Sequence, residues 1–90
     1  RVEGLGALAA SAAPVPFGQE LTVQVHALEA GPATILLQDA LGRTMLSQPA
    51  TLVKGANQVQ LSKAGRLRSG AYILVVQQGS QQVRLKVVRE

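Results

Sequence analysis

His26 is the only histidine of the chain, so proton transfer near neutral pH would have to start from it. It lies on the polar side of "ELTVQVHA" (20–27), beside Thr22 and Gln24, where a side chain points to solvent. A nucleophilic triad needs a serine and an acid within reach, and no serine stands in a Gly-x-Ser-x-Gly setting. Glu3, Glu20, Glu29 and Asp39 are each separated by a turn or a strand. That spacing offers neither the paired carboxylates of a glycosidase nor the convergent ligands of a metal site. "GLGALA" (4–9) has the glycine spacing of a dinucleotide loop, but no strand precedes it and no helical pattern follows. The reading is therefore of a protein that is not an enzyme and that uses neither metal nor cofactor.

Charge and composition narrow the partners. The net charge of +4 is unevenly placed. Residues 1–60 carry Arg1, Arg43 and Lys54 against Glu3, Glu20, Glu29 and Asp39, a balance of −1. Residues 61–90 carry Lys63, Arg66, Arg68, Arg84, Lys86 and Arg89 against Glu90, a balance of +5. A basic end attracts acidic partners or anionic surfaces. Nucleic acid is not an expected partner, because Phe17 and Tyr72 are the only aromatics and no helix is available to enter a groove. Cysteine is absent, which excludes disulfides and leaves the compartment open. No apolar run approaches the ~20 residues of a membrane-spanning helix.

The elements that must position these residues are strands. Leu21, Val23, Val25 and Ala27 alternate with polar neighbours, a half-buried strand. "ATILLQD" (33–39) follows a Gly-Pro break, and "QDALGRTML" (38–46) turns the chain. Asp39 and Gly42 suit the first and last positions of a type I turn, and Asp39 can accept backbone N–H groups across it. In "RTMLSQ" (43–48) Met45 is expected to face inward, and Pro49 marks a strand end or an edge. "LVKGANQVQLS" (52–62) has a turn at Lys54-Gly55 and then a strand with Val59 and Leu61 on one face. "KAGRLRSG" (63–70) is read as a loop with Leu67 plugging the core. "AYILVVQ" (71–77) is the most apolar run and the expected central strand. Gly79-Ser80 suits a type II′ hairpin into "QQVRLKVV" (81–88).

Six strands follow, with a seventh within residues 8–17, and no segment shows a 3.6-residue period. Ninety residues in this pattern make one domain. The expected fold is all-β, an immunoglobulin-like antiparallel β-sandwich of about seven strands, with a small open barrel as the alternative.

Five stretches taken in order resemble the type A C-terminal sorting domain of the type IX (Por) secretion system. They are "PVPFGQELTVQV" (14–25), "ILLQDALGR" (35–43), "LVKGANQVQLS" (52–62), "LRSGAYILVV" (67–76) and "VRLKVVRE" (83–90). The family pattern runs from a Pro-Asn-Pro-Phe start through an Asp-x-x-Gly-Arg corner, a Lys-Gly-x-Asn segment and Ser-Gly-x-Tyr to a basic-apolar last strand. Here Val15 replaces the Asn, and Glu90 follows the last basic residue. The motif residues carried over are Pro14, Pro16, Phe17, Asp39, Gly42, Arg43, Gly55, Asn57, Gly70 and Tyr72.

The resemblance implies a secretion signal that directs an attached cargo through the periplasm and the outer-membrane translocon of a Gram-negative bacterium to the surface or medium. Shuttle proteins and a sortase-like protease that removes the domain are the implied partners, with no membrane-spanning segment and no nucleic acid. Residues 1–13 are then a linker from upstream cargo and 14–90 the sorting domain, in a chain that starts at Arg1 without Met. The last hairpin, with the basic Arg84, Lys86 and Arg89 expected outward and Val88 beside them, is the expected translocon-recognition surface. Its charges have a second reading, protection of an edge strand from aggregation. An immunoglobulin-like adhesion or spacer module is the alternative function.

Overall fold

The computed structural model describes residues 8–13 and 16–90; Pro14 and Val15 of the opening motif lie outside the described residues. Seven strands form two sheets: β1 (Ala9–Ala13), β2 (Leu21–Ala27), β3 (Gly31–Gln38), β4 (Thr44–Leu52), β5 (Gly55–Leu61), β6 (Gly70–Gln78) and β7 (Gln81–Arg89). One sheet has the order β1-β2-β5 and the other β4-β3-β6-β7, and every pairing between these strands is antiparallel. The two inner faces enclose the core, the immunoglobulin-like sandwich expected from the strand spacing.

Alternation builds the core. Leu21, Val23 and Val25 of β2 face Ile35 and Leu37 of β3 and Leu74 and Val76 of β6, all almost fully buried. Phe17 and Leu61 close one end with Ala64, and no polar or charged residue is buried among the described residues. β6 lies between β3 and β7, the central position its composition implied. Positive φ at Gly79, and at no non-glycine residue among the described residues, matches the two-residue type II′ turn before β7.

Four details differ from, or sharpen, the sequence reading. Met45 is 45% exposed, not inward. It shares the outer face of β4 with Ser47, Pro49 and Thr51, while Leu46, Ala50 and Leu52 turn to the core; the β-bulge, where Leu37 pairs with Leu46 but Gln38 with Thr44, falls at the same residue. β4 continues through Pro49 to Leu52, as an edge strand can. The 63–70 loop contains a short 3₁₀ helix, Ser62–Arg66, and its fully buried plug is Ala64, with Leu67 only partly buried beside the core. β1, the seventh strand, comes from the segment read as linker: it pairs with β2 from Ala9↔His26 to Ala13↔Thr22, and Leu8 before it is buried.

Candidate recognition surface

The Asp39 corner is closed from both sides. The Gly42 N–H donates to the Asp39 carbonyl at 3.0 Å, and the Asp39 N–H donates to the Arg43 carbonyl at 2.9 Å. Asp39 Oδ1 accepts the N–H groups of Leu41 and Arg43, both at 2.9 Å, while Oδ2 accepts Arg43 Nε at 2.7 Å. Gly42 takes φ 84, a conformation that costs other residues about 1–2 kcal/mol. The Arg43 backbone N–H holds the Asp39 carboxyl below its ordinary pKa; burial opposes it, and the Arg43 side chain and the Leu41 N–H add to the lowering. Asp39, Gly42 and Arg43 thus form one hydrogen-bonded unit, and its charged partners lie at the surface.

Asn57 plays a similar part where the chain crosses between sheets. Its Oδ1 accepts the Val53 N–H at 2.9 Å. Its Nδ2 donates to the carbonyls of Val53 at 2.9 Å, Gly55 at 3.0 Å and Val25 at 3.3 Å. The amide therefore ties the β4–β5 turn to itself and to β2. Only a side chain with both a donor and an acceptor can do this.

Tyr72, near the start of β6, is buried with its hydroxyl at the rim, where it donates to the Arg68 carbonyl at 2.7 Å. This is the tyrosine corner of immunoglobulin-like sandwiches, a hydroxyl bonded to backbone a few residues upstream. Gly70 begins β6 between these two partners.

The fourth closure joins the first motif to the last strand. Phe17 is fully buried, and its backbone bridges in parallel to Arg89: the Phe17 N–H donates to the Val88 carbonyl at 2.8 Å, and the Glu90 N–H donates to the Phe17 carbonyl at 2.9 Å. Pro16 beside it is exposed. The Arg89 guanidinium extends the closure, with Nη2 on the Gly65 carbonyl and Nη1 on the Glu90 carbonyl, both at 2.8 Å. Gly65 in turn lies against the backbone of Gln19 so closely that a Cβ would stand 2.3 Å from its carbonyl oxygen.

Arg89 is therefore half-buried on its own fold rather than outward. The reason is parity: residues 83, 85, 87 and 89 share the inward side of β7, and 84, 86 and 88 the outer. Arg84 and Lys86 are exposed on the outer face with half-buried Val88, and Arg84 Nη2 donates weakly to Gln38 Oε1 at 3.4 Å. The sequence reading missed Gly65, which resembles any loop glycine; the crowding that requires it arises only when residue 19 folds over it. His26 is exposed on the outer face of β2. Among the described residues no three His, Cys, Asp or Glu side chains gather to hold a metal ion.

A family model described as "Secretion system C-terminal sorting domain" matches residues 11–90, nearly the whole chain. A search of curated proteins finds no match. The chain belongs to the family of type IX secretion C-terminal sorting domains. Membership indicates a signal that interacts with the type IX secretion machinery and a protein exported to the outer membrane or cell surface. No helix among the described residues is long and apolar enough to cross a membrane.

Proposed function

We propose that this C-terminal sorting domain acts as a folded address: it carries an attached cargo through the type IX outer-membrane translocon, is handled by shuttle proteins, and is removed by a sortase-like protease as the cargo reaches the surface. The observation that carries this reading is that the family motifs are closures of a single fold. The Asp39 corner, the Asn57 clamp, the tyrosine corner and the Phe17 bridge each fasten a connection of the sandwich. Motifs spent on holding a shape suit recognition of a shape, whereas a linear signal would not need them. Arg84 and Lys86 on the outer face of β7 are the charged groups this address offers an acidic contact. The domain itself performs no catalysis in this reading.

The test is export of a reporter that bears an ordinary periplasmic export signal and residues 1–90 at its C-terminus, in a host possessing this secretion route. Delivery to the surface or medium, with loss of the domain's mass from the delivered reporter, is expected. A fusion that folds, by its β-sheet circular dichroism, yet stays in the periplasm would move the adhesion or spacer reading to first place.

A further inference from the structure

An open groove of about 680 Å³ lies at one end of the sandwich, between the Asp39 corner and the 66–72 segment. Its lining combines two things. Three arginines, Arg43, Arg66 and Arg68, stand against one carboxylate, Asp39, a local balance of +2. The carboxylate is already engaged by Arg43 Nε, and among the described residues Arg66 and Arg68 have no side-chain partner. The same groove holds Leu41, 79% exposed, and Met45, 45% exposed. These are two of the three large apolar side chains that stand open to solvent among the described residues. Single exposed apolar residues need no explanation, but a pair beside guanidinium groups that have no side-chain partner among the described residues does.

The local structure holds them there. Leu41 occupies the tip of a turn fixed by Asp39, and Met45 stands on the outer face of β4 with Ser47. The opposite wall is stiffened by the Tyr72–Arg68 hydrogen bond. A preformed concave surface with fixed anchors loses little conformational entropy on binding. Resting on the sorting function above, we infer that this groove docks an extended acidic segment of a partner protein in the secretion machinery. Carboxylates of the segment pair with Arg66 and Arg68, and an apolar side chain lies between Leu41 and Met45. Methionine suits such a contact because its flexible thioether adapts to different side chains. A flat anionic lipid surface would meet the arginines but would not fill the concavity.

The experiment uses the reporter fusion of residues 1–90 with three variants: Arg66→Glu with Arg68→Glu, Leu41→Ser with Met45→Ser, and Lys54→Glu with Lys63→Glu as a charge-matched change outside the groove. Circular dichroism and a thermal midpoint check that each variant folds. Export at least tenfold lower for both groove pairs, with the lysine pair exported like the parent, is the expected result. Parent-like export of the arginine pair overturns the inference and leaves the sorting function standing. A loss confined to the arginine pair also overturns it, in favour of an anionic lipid surface. Failure of the parent fusion itself removes the sorting reading, and this inference with it.

Discussion

Phe17 and Arg89 form a parallel bridge that joins the opening motif to the final residues of β7, with hydrogen bonds of 2.8 and 2.9 Å on either side of Arg89. The bridge sits over the buried Phe17 ring, so the same residue supplies the core and the closure. Phe17→Ala is expected to cost about 3–5 kcal/mol, a large share of what a domain this small possesses. Urea denaturation of the purified domain checks it; a loss below 1 kcal/mol would mean that the ring is not the anchor described.

Tyr72→Phe keeps the ring and removes only the donor to the Arg68 carbonyl. A loss of about 1 kcal/mol and a thermal midpoint lower by about 4–8 °C are expected. An unchanged midpoint would show that water replaces the hydroxyl at the rim without cost.

Asn57→Asp is nearly isosteric, yet it replaces a donor to three carbonyls with a group that only accepts. The variant is expected to lose about 1–3 kcal/mol at neutral pH. The deficit shrinks below about pH 4, where the protonated carboxyl regains one donor. Paired denaturation curves at the two pH values read this directly.

The Asp39 carboxyl is held below its ordinary value of 3.8. A group whose pKa is lower in the folded state adds stability above its unfolded value, and that stability disappears as pH falls through the lowered one. Thermal midpoints measured from pH 7 downward should therefore drop more below pH 3.8 for the parent than for Asp39→Asn. Parallel curves would remove this carboxylate from the pH response.

Gly42 and Gly65 separate two reasons for glycine. A Cβ at Gly42 meets nothing within 4 Å, so Gly42→Ala should cost only the conformational penalty of about 1–2 kcal/mol. At Gly65 the obstacle is the Gln19 backbone, which no rotamer change can move aside. Gly65→Ala is expected to be the more damaging, at about 3 kcal/mol or more. The order of the two denaturation midpoints is the measurement.

Local alternation carried most of the architecture. The pattern of Leu21, Val23 and Val25 and the apolar run at 71–77 placed β2 and β6, because a strand's faces follow directly from a period of two. The Asp39 corner was equally visible, since its hydrogen bonds span only four residues. Met45 was misplaced because it and Leu46 are neighbouring apolar residues on opposite faces, and only Leu46 turns to the core. Arg89 was misread by charge although its odd position on β7 pointed inward. The Phe17–Arg89 bridge and the Gly65–Gln19 contact join distant stretches, and no local pattern encodes such contacts.

The bridge also sets a clock on biosynthesis. Val88 and Glu90 supply its partners, so this closure cannot form until residues 88–90 have been made. A product broken off earlier, whatever the state of the protein joined to it, lacks the clasp and the Arg89 tether to Gly65. Loss of the last residues of β7 is thereby felt at Phe17 and at Gly65, in two segments distant along the chain.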